Sequence, residues 1–160
     1  MAIAALITWV ITAGLGLFML GTWIAKGGAR AQTMAGATAT AGAGAAPGTD
    51  GAAGPSDTTG SHFPPPAVFG HFLLAASGLV LWIVYVVNDD STLAWIAFGI
   101  LVIVAGIGDF LVLRWIGDRR SASRGLAEQK IPSGVVAVHG VFAVTTLVLV
   151  LLAALEVGGS

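Results

Sequence analysis

Four stretches of almost unbroken apolar sequence constrain this chain more than any other feature, because each approaches the roughly 20 residues that carry a helix across a bilayer's hydrocarbon core. They occupy residues 1–24, 64–88, 93–116 and 133–156. Continuous runs of this kind predict membrane helices; barrel strands would be short and would alternate in polarity. The expected fold class is therefore all-α: a polytopic membrane protein with a bundle of four transmembrane helices. With 56% hydrophobic and 9% charged residues and a mean hydropathy of +0.92, the chain is too apolar for a soluble domain of its size.

The connections set an expected orientation. Every Lys and Arg falls on one side of a four-helix arrangement: Lys26 and Arg30 after the first run, Arg114 at the end of the third, and Arg119, Arg120, Arg124 and Lys130 before the fourth. The positive-inside rule places that side in the cytoplasm of a bacterial inner membrane, with both termini and the acidic turn at Asp89 and Asp90 outside. The first run has no basic residue before it and is too long for an ordinary signal-peptide core, so it is expected to be a retained helix. Trp23 and Trp115 are expected to mark the inner interface, and Trp82, Tyr85 and Trp95 the outer one. Residues 25–63, rich in Ala, Gly and Pro, are expected to form a disordered cytoplasmic loop. Residues 117–132 read as a basic, solvated cytoplasmic loop that can also touch anionic lipid.

Several function classes fall away on composition. There is no cysteine, which removes disulfides, thiolate-bound metals, iron–sulfur clusters and thiol nucleophiles. A net charge of -1, with the basic residues confined to short loops, leaves no nucleic-acid footprint. The lipid bilayer is the expected partner, with a larger membrane complex or a second copy of the chain beside it. No nucleophile–base set, phosphate-binding glycine loop or acid–base carboxylate pair is recognisable, so the reading leans toward a carrier or accessory subunit over an enzyme.

The chain repeats itself. HFPPPAVFGHFLLAASGLVL and KIPSGVVAVHGVFAVTTLVL align without a gap, so that Pro64 and His71 match Pro132 and His139. Upstream, Ala13-Gly14-Leu15-Gly16-Leu17-Phe18 with Trp23 matches Ala105-Gly106-Ile107-Gly108-Asp109-Phe110 with Trp115. The offset is 92 for the first helix of each half (115 − 23) and 68 for the second (139 − 71). A tandem two-helix repeat keeps its membrane orientation, which predicts a pseudo-twofold axis along the membrane normal, with His71 and His139 at one depth facing each other.

Polar groups in hydrocarbon cost a few kcal/mol and so face a partner, a cavity or a ligand. Three fall in one layer: His71, His139 and Asp109. Two imidazoles from facing helices can bind a haem b axially, giving a six-coordinate electron-transfer centre in a bundle core. On this reading Gly14, Gly16, Gly106 and Gly108 let backbone approach the planar group, or simply serve tight helix packing. Phe18, Phe72, Phe110 and Phe142 exclude water, and Arg114 or a neighbouring basic residue pairs with the propionates. Alternatively, His71, His139 and Asp109 form a two-histidine, one-carboxylate site for a divalent transition metal, or a relay in a small proton-coupled transporter. Asp109 can equally orient a ligating histidine or pair with Arg114. A third reading is a non-catalytic subunit of a larger complex whose histidines only hydrogen-bond between helices. His62, aligned with Lys130, reads as a solvated or headgroup-contacting residue.

Two membrane helices that each offer one histidine, His71 and His139, resemble membrane b-type cytochromes of the cytochrome b561 kind. That resemblance implies a haem-b electron carrier. Members of that family characteristically hold two haems with a histidine pair near each membrane face, and this sequence matches one pair only. The segment from Pro132 to Leu155, of the form PxxxxxxHGxxAxxTLVLVLLAAL, is also similar to small four-helix bacterial membrane proteins, a resemblance that implies no activity.

Overall fold

The computed structural model describes residues 1–28, 61–120 and 126–156. The expected disorder of residues 25–63 falls mainly on 29–60, which lie outside the described residues, as do 121–125 of the basic loop. The described chain is all-helical: α1 (Ala2–Ala25), α2 (Pro65–Asn88), α3 (Ser91–Arg120), a 3₁₀ turn (Ala127–Lys130) and α4 (Ser133–Ala154). All four α-helices are long and apolar enough to cross a membrane, and the chain is a multi-pass membrane protein. At 1.5 Å per residue, the 24 residues of α1 and of α2 span about 36 Å, and the 30 of α3 about 45 Å. The last turns of α3 therefore outrun an apolar slab about 30 Å thick.

Local chemistry sets the helix ends. Pro64 and Pro132 are extended and precede α2 and α4, where a missing N–H costs nothing because first-turn donors have no helical partner. Helix α1 closes in a Schellman turn: Gly27 takes φ +87°, its N–H bonds Ile24 O at 3.0 Å, and Gly28 N–H bonds Trp23 O at 3.0 Å. Between α2 and α3, Asp89 adopts the left-handed conformation, and Asp90 Oδ1 accepts the Thr92 N–H at 2.9 Å as the cap of α3. Helix α3 runs four residues past its expected end at 116, carrying Asp118 beyond the apolar run.

The helices alternate in direction, giving a terminal end (Met1, the 88–91 turn, Leu155) and a loop end (Lys26, His62, Arg120, Lys130). Helix α1 packs chiefly on α4, and α2 on α3; the seams between α1 and α2 and between α3 and α4 are looser. One buried cluster, with Ala5, Trp9, Trp82, Ala97, Leu101 and Val150, fills the terminal end. Another, with Trp23, Phe63, Ala127 and Ile131, closes the loop end. Eight of these ten buried positions fall in pairs separated by the two sequence offsets: Ala5 with Ala97 and Trp9 with Leu101 by 92, Trp82 with Val150 and Phe63 with Ile131 by 68. Outward-facing residues such as Leu17, Leu73, Val80, Leu113 and Val141 are exposed, as a lipid-covered surface requires.

Trp23 and Trp82 are buried, and each indole N–H has a partner inside: Ser61 Oγ at 2.9 Å for Trp23 and Ala2 O at 3.3 Å for Trp82. Trp95 does stay exposed. The segment 126–131 is not a solvated loop; Leu126, Ala127, Glu128 and Ile131 are buried beneath Trp115, whose indole N–H donates to Glu128 O at 3.1 Å.

Candidate functional site

His71 lies on α2 and His139 on α4, each six residues into its helix, about 9 Å from the first turn. Each ring crosses to the neighbouring helix of its tight pair. His71 Nδ1 is 3.0 Å from Val104 O on α3, and His139 Nδ1 is 3.1 Å from Thr12 O on α1. A carbonyl oxygen only accepts, so each Nδ1 carries the proton and each Nε2 is left with a lone pair.

The glycines explain how the rings reach those carbonyls. In a helix the Cβ of residue i+4 leans toward the N-terminus and shields the carbonyl of residue i. Gly16 and Gly108 stand four residues beyond Thr12 and Val104. An added Cβ would lie 3.2 Å from His139 Cε1 at Gly16 and 3.1 Å from His71 Cε1 at Gly108. The absent side chains thus expose a helical carbonyl's spare lone pair to an imidazole from the next helix. Thr12 and Val104, like Gly16 and Gly108, are separated by 92 residues, so the two arrangements correspond position by position.

The two rings converge, with centroids 6.4 Å apart and planes at 55°. Two imidazole nitrogens sharing one metal ion at about 2.0–2.1 Å each, on a straight line, would set ring centres about 6.3 Å apart. The centroid spacing lies close to that value. No hydrogen-bond donor among the described residues reaches either Nε2.

The other expected residues divide. Gly14 and Gly106 have nothing within 4 Å of an added Cβ and face outward, so only Gly16 and Gly108 of the glycine set touch the rings. Asp109 is exposed, one residue and so about 100° round α3 from Gly108; adjacency in depth did not make it adjacent in direction. Among the described residues it joins no group of ligating side chains and makes no ion pair, with Arg114 or otherwise. Arg114 is exposed too, its guanidinium 5.8 Å from the Phe110 ring centroid. Phe18, Phe72 and Phe110 are exposed and do not wall the histidine pair.

Sequence reasoning missed a second grouping at the loop end: His62, Asp118 and Glu128, whose ligand atoms all lie within 4.8 Å of one another. The available signal was Glu128 itself, a lone acid at the apolar end of a basic segment. No protein-family model, curated protein or solved structure matches the chain.

Proposed function

We propose that this protein is a haem-b-binding integral membrane electron carrier, or the redox accessory subunit of a larger membrane complex, with His71 and His139 as axial ligands. One observation carries the reading: two imidazoles, each fixed through Nδ1 to a backbone carbonyl over a glycine, stand 6.4 Å apart with both Nε2 lone pairs unspent. A bound haem b would supply a one-electron couple. The chain's part is to hold the two rings in one tautomer and one orientation, since a carbonyl accepting from Nδ1–H also raises the basicity of Nε2. The looser seams between the two tight helix pairs leave the direction in which a planar group's edges can extend.

A metal centre completed by Asp109 is less well supported, because that carboxylate sits on the outside of the bundle. A haem needs only two protein nitrogens, its ring supplying the other four. A purely structural role accounts for the Nδ1 bonds but gives the two Nε2 lone pairs no use. The matching offsets at the rings and in both buried clusters support a tandem repeat about a pseudo-twofold axis. Lys26, Arg114, Arg119, Arg120 and Lys130 gather toward the loop end while Asp89, Asp90 and Glu156 sit at the terminal end. That asymmetry supports a bacterial cytoplasmic membrane location with both termini outside.

The test is the absorption spectrum of the full chain, purified from membranes of haem-replete cells, before and after dithionite. A Soret band and a sharpened reduced α-band are expected, and each of His71→Ala and His139→Ala should abolish the reduced six-coordinate α-band. A full chain with no haem bands, or bands that survive both substitutions, refutes the assignment.

A further inference from the structure

We propose that His62, Asp118 and Glu128 form a second, independent site, at the loop end, for a divalent transition-metal cation of the zinc class. The three ligands come from three segments: His62 just before α2, Asp118 near the end of α3, and Glu128 in the 3₁₀ turn before α4. Their ligand atoms lie within 4.8 Å of one another. His62 Nδ1 is 2.8 Å from Asp118 Oδ1, and the His62 backbone N–H donates to Glu128 Oε1 at 2.7 Å.

Glu128 points to a ligand that the described residues do not provide. Its side chain is 0% exposed, and its Oε2 has no hydrogen-bond donor among the described residues. No Lys or Arg among the described residues pairs with it. Sealing a carboxylate with one oxygen unmatched is strongly unfavourable unless a cation or a donor answers it.

The donor set selects the ion class. One imidazole nitrogen and two carboxylate oxygens, with no sulfur, suit Zn²⁺ and its neighbours Co²⁺, Fe²⁺ and Mn²⁺ and disfavour Cu⁺. Tetrahedral ligands at about 2.0–2.2 Å lie about 3.3–3.6 Å from one another. Separations of up to 4.8 Å thus need to close by at most about 1.2–1.5 Å to reach that geometry, the His62–Asp118 hydrogen bond giving way to shared ligation. The pocket is held from behind: Trp115 Nε1 donates to Glu128 O at 3.1 Å, and Gln129 Nε2 to Asp118 O at 2.8 Å. It is open in front, where the His62 side chain is 49% exposed and an ion can approach from the aqueous side. Asp118 lies ten residues beyond Gly108, about 15 Å along α3 from the paired imidazoles, so the two sites are separate. A cation here would fasten the start of α2 to the α3–α4 connection.

The experiment titrates Co²⁺ into the full chain in detergent, read by its visible d–d absorption, with Zn²⁺ as competitor. The His71→Ala/His139→Ala double variant serves as background so that only the loop-end site reports. One Co²⁺ per chain, displaced by Zn²⁺, is expected. Affinity should fall at least tenfold in each of His62→Ala and Glu128→Gln made in that background. His62 is half-exposed, so full chain against His62→Ala gives the same comparison should the double variant not fold. Absence of Co²⁺ binding, or equal affinity with and without His62→Ala and Glu128→Gln, overturns the proposal.

Discussion

Replacing Gly16 or Gly108 with alanine puts a methyl carbon 3.2 Å from His139 Cε1 or 3.1 Å from His71 Cε1. Carbon pairs are at rest near 3.5–4.0 Å, so the ring must retreat by about 0.3–0.9 Å. Its Nδ1 bond, 3.1 Å to Thr12 O or 3.0 Å to Val104 O, then stretches beyond useful geometry. Losing one such bond costs about 0.5–1.5 kcal/mol. Alanine in place of glycine inside a helix returns about 0.5–1 kcal/mol. The two nearly cancel, so the thermal midpoint should stay within a few degrees while the histidine loses its anchor. If these imidazoles ligate haem as proposed, losing the anchoring partner should lower haem retention by about 10–100-fold. Gly14→Ala and Gly106→Ala are the internal controls: the same substitution two residues earlier on the same helices, with nothing within 4 Å to strike. They should leave haem retention unchanged and gain a little stability. A haem-independent readout is ¹⁵N NMR of labelled histidine, in which the Nδ1–H tautomer should persist in the controls and give way to mixed tautomers in Gly16→Ala and Gly108→Ala. If all four variants behave alike, the account of glycine as the opening to a carbonyl is wrong.

Asp109→Leu, which installs the residue found at the matching position Leu17, should leave haem content and Co²⁺ binding unchanged and raise the thermal midpoint, because it removes an exposed carboxylate from an apolar run; lost haem would return Asp109 to the site. Trp82→Ala should lower stability by about 3–5 kcal/mol in reversible detergent unfolding, since a fully buried indole and its bond to Ala2 O both vanish. Asp90→Ala should cost about 1 kcal/mol through the lost cap on Thr92 N–H, seen as faster amide exchange in the first turn of α3.

The membrane helices are legible in the sequence because hydropathy reports directly on what a bilayer demands. The paired histidines are legible for a related reason: an imidazole within an apolar run is conspicuous, and its duplication sets a common depth. Rotation about the helix axis is harder to read. Asp109 shares that depth, yet a helix turns about 100° per residue, and one position separates the ring-contacting Gly108 from a carboxylate on the outer surface. Of the four glycines, the two at i+4 from a bonded carbonyl could be told from the other two only once the partner helix was placed. Trp23 and Trp82 sit where belt residues sit along the chain, and tertiary neighbours turn them inward. Glu128 was hidden most deeply, because its burial depends on a short polar segment folding back beneath Trp115, which no periodicity announces.

The tight pairings of α1 with α4 and α2 with α3 bear on how the molecule is made. A ribosome delivers α1 first, and its preferred neighbour is the last helix to emerge. The opening exposed at Gly16 has to wait in the bilayer until His139 arrives to fill it, whereas α2 can grip α3 within one translocon cycle. Assembly should therefore proceed from a central hairpin outward. A nascent chain released before α4 would hold His71 seated against α3 and leave the opening at Gly16 unfilled.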